Sequence, residues 1–217
     1  MHRIDSCPKG RAPGSAGEHR LQQLSGTQKR AYAFYNKQML DHLNPLMREF
    51  ISRQEMMFVG TADPQGECDC SFRSGQPGFV RVLDQKTLVY PELRGNGVMA
   101  SLGNVSENPH VGLLFIDFFE STVGLHVNGK ASIAENDMLL SRSDLPEEIR
   151  SQVGAEGGRG PERWVLVEVE EAYIHCAKHI PLLRKLDKKV HWGTDDEAHK
   201  GGDYFKAKAS SRPWVVG

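Results

Sequence analysis

Between Met56 and His175 the chain runs as short apolar segments separated by turn-forming residues, with little between them that reads as helix. "MMFVGTA" and "ECDCSFR" flank the turn "DPQG", a hairpin pattern. "GFVRVL" and "TLVYPE" flank "DQK" in the same way. "HVGLLFIDF" is almost continuously apolar, which predicts a central strand. "STVGLHVNGKASIAE" predicts a long strand bent at its glycines, and "RWVLVEVEEAYIH" the last long strand. Roughly seven strands with few helices among them predict a mainly β, antiparallel barrel rather than a doubly wound sheet.

The flanks differ. Residues 1–26 are rich in Gly, Pro, Ser and charge and are expected to be mobile. Residues 27–54 read as a helical extension, with one helix over Thr27–Leu40 and a second starting at the cap-and-proline pair Asn44-Pro45. Leu43, Leu46, Met47, Phe50 and Ile51 are spaced as a buried stripe. The barrel is expected over 55–186, with a short helix near Pro146–Val153 and a flexible loop "GAEGGRGPE" inside it. A polar tail over 187–217 carries Trp192, Tyr204, Phe205 and Trp214, which suggests docking, with a second subunit as one candidate.

The 217 residues carry a formal net charge of −1, so no global field argues for nucleic acid or an anionic membrane. No apolar run approaches the roughly 20 residues that span a bilayer. The first residues hold no apolar export stretch, and the expected location is the cytoplasm. Cys68 and Cys70 share one face of a strand; zinc pairs are spaced more widely and come in two sets, so small strand residues are the simpler reading.

Three segments could carry chemistry. The first is "PELRGNGVMASLGN". Arg94 is a permanent cation with a forked donor set, and Gly95, Asn96 and Gly97 form a turn through which backbone N–H groups can approach an anion. Ser101 and Asn104 share a face of the helix that follows. The competing reading is a glycine-rich turn with a capping Asn. The loop is neither a Walker loop nor GxGxxG. The second segment is "SFRSGQPGFVRV", where extended backbone at Phe79–Val82 can meet the edge of a flat heterocycle and Arg73 or Arg81 can add charge. Strand arginines also pair with acids or face solvent. The third is "AYIHCAKH". Strand alternation puts Tyr173, His175 and Ala177 on one face and Ile174, Cys176 and Lys178 on the other, so His175 and Cys176 do not form a thiolate pair.

Taken in order, "FVGTADPQGECDCSFRSGQPGFVRVLDQKTLVYPE", "RGNGVMASLGNVSENPHVGLLF", "VNGKASI" and "YIHCAK" resemble the flavin-nucleotide-binding proteins related to pyridoxamine 5′-phosphate oxidase, over roughly residues 45–180. The resemblance implies a split β-barrel that binds FMN at a homodimer interface, and an oxidoreductase acting on a small-molecule substrate. It implies contacts to the flavin edge from Arg73, Ser74, Phe79, Val80, Arg81 and Val82. Contacts to the ribityl phosphate are implied from Tyr90, Arg94, Gly95, Asn96, Ser101 and Asn104, and contacts from the partner subunit from His175, Cys176 and Lys178.

There are departures from the family pattern. Many relatives carry a second basic residue on the short helix, where this chain has Val98 and Met99. Phosphate neutralisation then rests on Arg94, on Arg73 or Arg81, and on the helix N-terminus. The substrate-binding Arg and His of the vitamin B6 oxidase have no counterpart in "HWGTDDEAHK", which counts against pyridoxamine phosphate as substrate. The alternatives are a non-catalytic flavin- or haem-binding module, with His126, His175 and His179 as candidate haem ligands, and a dimeric scaffold without cofactor.

Overall fold

The computed structural model describes residues 12–153, 160–194, 196–212 and 214. Eight strands lie in it: β1 (Met39–Leu40), β2 (Met56–Ala62), β3 (Cys68–Ser74), β4 (Arg81–Val82), β5 (Thr87–Glu92), β6 (His110–Ile116), β7 (Gly124–Ala134) and β8 (Arg163–His175). All pairings are antiparallel. The strand order is β3-β2-β6-β7-β8-β5-β4, and β1 adds to β8 off this path. The helices are α1 (Ala16–Leu24), α2 (Gln28–Gln38), α3 (Pro45–Ser52), α4 (Ala100–Glu107), α5 (Asn136–Leu140) and α6 (Glu147–Val153). Among the described residues no helix is long and apolar enough to cross a membrane.

The sheet is mainly β in the way the apolar pattern requires, and it is curled into a split barrel. In a flat sheet β3 and β5, five places apart, would be separated by about 24 Å at the usual interstrand spacing. Yet Arg73 Nε of β3 donates to Glu92 Oε1 of β5 at 2.8 Å. Only a sheet rolled upon itself brings these edges together. One core fills the roll: Met57 and Val59 of β2, Leu113 and Phe115 of β6, Leu88 and Tyr90 of β5, and Val165 and Val167 of β8 pack in one cluster with Leu43 and Ile51. A second cluster lies outside it, where Val89 and Trp164 meet Leu139 and Ile149. β5 and β8 are therefore apolar on both faces.

The strands β2, β5 and β8 occupy the predicted residues, and β6 is central as its apolar run requires. Asn44 caps α3, its Oδ1 accepting from Met47 N at 2.9 Å. The bend expected at a β7 glycine is a bulge between Asn128 and Gly129; a Cβ at Gly129 would lie 2.0 Å from Glu168 O.

Other expectations give way to tertiary structure. Residues 15–26, expected to be mobile, contain α1, because Ser15 Oγ accepts from Glu18 N at 3.1 Å in an S-x-x-E start. The helix predicted over Thr27–Leu40 stops at Gln38, since Met39 and Leu40 pair with Tyr173 and Ala172 of β8. Leu46, placed in the buried stripe, is exposed, while Leu43 and Ile51 are buried. β4 keeps only Arg81 and Val82 of the predicted "GFVRVL". Gly78, at φ +79°, turns the chain, and Phe79 folds back over Gly75. α5 falls in a segment that reads as polar; it forms because Leu139 is fully buried beside Trp164 and Ile149. Residues 1–11 of the expected mobile segment and 154–159 of the expected loop lie outside the described residues.

Removing one partner of a half-buried pair strands the other charge, at a cost of about 3–5 kcal/mol. Arg73→Met should destabilise by that order in urea titrations, and Arg73→Met with Glu92→Leu should recover most of it. A double variant as unstable as the two single losses summed would show that the pair does not hold the roll.

Candidate cofactor-binding site

The loop from Leu93 to Met99 is exposed along most of its length and is shaped by local chemistry. Asn96 Oδ1 accepts from Val98 N at 3.0 Å, Gly97 sits at φ +81°, and Met99 takes the left-handed conformation at φ 56°. Met99 is the N-cap of α4, and its side chain makes no capping hydrogen bond to the helix. The first turn of α4 thus presents backbone N–H groups that no capping side chain satisfies, the arrangement that favours an anion. Arg94, Gly95 and Asn96 lie together in the approach to it.

Ser101 and Asn104 share a helix face as expected, and that face is seated on the sheet. Asp69 Oδ2 accepts from both Ser71 and Ser101 at 2.8 Å, and Ser101 is buried. Asn104 Nδ2 donates to Thr61 Oγ1 at 3.0 Å, and Asn108 Nδ2 to Ala62 O at 3.1 Å. These bonds fix α4 on β2 and β3 and so aim its N-terminus.

Arg163, the first residue of β8, enters this region without any local sequence signal. Its Cα is paired in register with that of Glu92. Its Nη1 lies 3.7 Å from Met99 Sδ, at the α4 N-cap. Its Nε is 3.4 Å from Glu135 Oε1, and it is buried without a hydrogen-bond partner among the described residues. The strand pairing, not the sequence spacing, brings it here.

The other candidate residues separate into different surroundings. Tyr90 is buried in the main core; burial above all, then the Glu92 charge, pushes its phenol well above the usual range. Burial also raises Glu92, and this outweighs the opposing hydrogen bond and charge of Arg73 and the charge of Arg163. Arg73 is committed to that carboxylate, and Ser74 ends β3 beside it, paired with Met56. Phe79 and Val80 are core residues. Arg81 and Val82 border an open cleft of about 320 Å³ with Pro45, Arg48 and Ser52. The Arg81 guanidinium folds over Gly78, where a Cβ would come within 2.6 Å of Nη1.

At the far end of β8, His175 Nδ1 and His126 Nε2 share a hydrogen bond of 2.9 Å. His126 stacks on Tyr173 with centroids 4.7 Å apart, and Tyr173 meets Phe34 edge-on. Cys176 faces away and caps the turn Ala177–His179, its Sγ accepting from Lys178 N at 3.5 Å. Cys176 and Lys178 are both exposed. Twelve residue steps part Arg163 from His175 along one strand, about 40 Å if it were straight.

Burial, and next the neighbouring His175, lowers the pKa of His126 from 6.5. The folded state therefore prefers neutral His126. Its contribution to stability is full above pH 6.5 and is lost as pH falls below that value. In an NMR titration of imidazole protons, His126 should titrate below 6.5 and shift upward in His175→Ala. An unchanged His126 titration in that variant would contradict the coupling.

The family described as pyridoxamine 5′-phosphate oxidase matches residues 43–176. Similar solved structures include HupZ from Group A Streptococcus, at 22% identity over 58% of this chain and 89% of that one, with a TM-score of 0.41. HutZ, the haem storage protein from Vibrio cholerae, is 16% identical over 61% of this chain and 93% of that one, with a TM-score of 0.37. A protein related to general stress protein 26, of the pyridoxinephosphate oxidase family, from Clostridium acetobutylicum is 17% identical over 58% of this chain and 83% of that one, with a TM-score of 0.38. All three scores fall below 0.5. Comparison with curated proteins found no match. The family match runs from the start of α3 to the end of β8 and takes in the whole curled sheet apart from β1, and the chain belongs to the pyridoxamine 5′-phosphate oxidase family.

Proposed function

We propose that this protein is a cytoplasmic FMN-binding oxidoreductase that works on a small-molecule substrate as a homodimer, with each flavin shared between subunits. The observation that carries the reading is the α4 N-terminus: a first turn without a side-chain cap, approached by a loop holding Arg94 and two glycines. That donor set fits a phosphate monoester. Ser101 and Asn104 support it from beneath, as the residues that hold α4 in place.

The separation along β8 supports sharing between subunits. The two ends of β8 lie twelve residue steps apart, and that separation supports contact with His175, Cys176 and Lys178 from a second copy. Of the two arginines considered for the ring edge, Arg73 is held by Glu92, which leaves Arg81 for that role.

Bound flavin would itself supply the electron and hydride chemistry. The chain's residues then need only bind, orient and exclude water. The roles found here agree with that: Cys176 caps a turn and His175 is bonded to His126.

A haem-binding role on the same barrel is the second reading, favoured by the paired imidazoles of His126 and His175. Haem ligation would require that bond to open. Thermal unfolding with added FMN, FAD and haem separates the two. FMN at one hundred times its dissociation constant should stabilise the fold by about 2.7 kcal/mol. Arg94→Ala should remove most of that gain. No shift with FMN, together with a Soret band on adding haem, would overturn the flavin reading.

A further inference from the structure

We propose that Arg163 is the second phosphate cation of this site, delivered by the first residue of β8 to the position that no basic residue fills at Val98 or Met99. The assignment rests on the flavin reading above and concerns which side chain meets the phosphate.

The present partners of Arg163 match a guanidinium poorly. Nε is buried and donates no hydrogen bond among the described residues. Glu135 Oε1 is near enough for charge attraction, at 3.4 Å, but is not placed to accept from Nε. Nη1 faces the thioether of Met99, a weak acceptor, at 3.7 Å. Glu92, opposite in register, attracts the Arg163 charge while its hydrogen bond is made to Arg73. A guanidinium has five donors in a planar fork, and those accounted for here have few good acceptors. Phosphate oxygens at the α4 N-terminus would supply them and would meet the uncapped backbone N–H groups in the same place.

The framework holds Arg163 where it can act. Its backbone is paired with Glu92 of β5, and its side chain is only 30% exposed, so little flexibility is lost on binding. Glu135 is 60% exposed and free to withdraw. In this arrangement Glu135 restrains the guanidinium in the absence of ligand, and phosphate displaces it.

The test compares FMN with riboflavin, which lacks the phosphate, by equilibrium quenching of flavin fluorescence on the full chain. Arg163→Gln should weaken FMN binding by about 10- to 100-fold and leave riboflavin binding unchanged. Arg163→Lys should retain part of the FMN preference, because the charge survives while the fork is lost. Glu135→Gln should strengthen FMN binding by about two- to fivefold, since a competing carboxylate is gone. Thermal unfolding of each unliganded variant verifies that it folds. Equal losses for FMN and riboflavin in Arg163→Gln, or no loss for either, would overturn the assignment while leaving the flavin reading intact. A wild-type protein that binds FMN no better than riboflavin would remove the phosphate site and the assignment together.

Discussion

The ion pair between Arg73 and Glu92 joins two strands that lie five places apart in the sheet, and the rest of the architecture depends on that closure. Rolling the sheet gives it an inside, which the apolar faces of β2, β5, β6, β7 and β8 fill as one core. The pair sits beside that core, with Arg73 21% and Glu92 10% exposed, where a lone charge would be costly. Because burial raises the Glu92 carboxyl even against its arginine, the bridge reads as a device for holding a particular closure rather than as a large source of stability. Arg163, opposite Glu92 in register, feels the charge of the same carboxylate, and its side chain lies against Glu135 and Met99.

The site is assembled in layers from this framework. β2 and β3 provide Thr61, Asp69 and Ser71; these grip Ser101 and Asn104; and the gripped helix turns its uncapped end toward the glycine-rich loop. Polar residues that look like ligand contacts in the sequence thus serve first to aim backbone N–H groups. Along β8 the two ends have different surroundings: Arg163 at one end lies against Met99 at the α4 N-cap, and His175 at the other stands in a bonded imidazole pair. The 13 residues of β8 separate these two ends, and the proposal of a second copy at the site rests on that separation.

Much of this was legible in the residues, for identifiable reasons. Strand bounds at Met56–Ala62, Thr87–Glu92 and Arg163–His175 follow from alternating or continuous apolar runs bounded by turn residues. The α3 start follows from Asn44 and Pro45, whose roles are local. Features decided by distant partners were not legible. Met39 and Leu40 read as helix until β8 offers them strand bonds. "GFVRVL" reads as a strand until Gly78 and Phe79 are drawn into a turn beneath Arg81. α5 reads as polar loop because the burial of its Leu139 and Leu140 depends on the distant Trp164 and Ile149. Arg163 carries no signal of its own; 64 residues part it from Met99, and only the β5–β8 register joins them. Arg73 was visible as a candidate cation, but its commitment to Glu92 requires the closed sheet.

The central claim is that one flavin phosphate sits at the α4 N-terminus of one chain while the ring meets the far end of β8 from another. A crystal structure of the complex with FMN tests it most directly. The account predicts phosphate density against the first-turn N–H groups of α4, within reach of Arg94 and Arg163, with His175 and Lys178 of a second copy beside the ring. Phosphate density elsewhere on the barrel, or a flavin enclosed by a single chain, would contradict it.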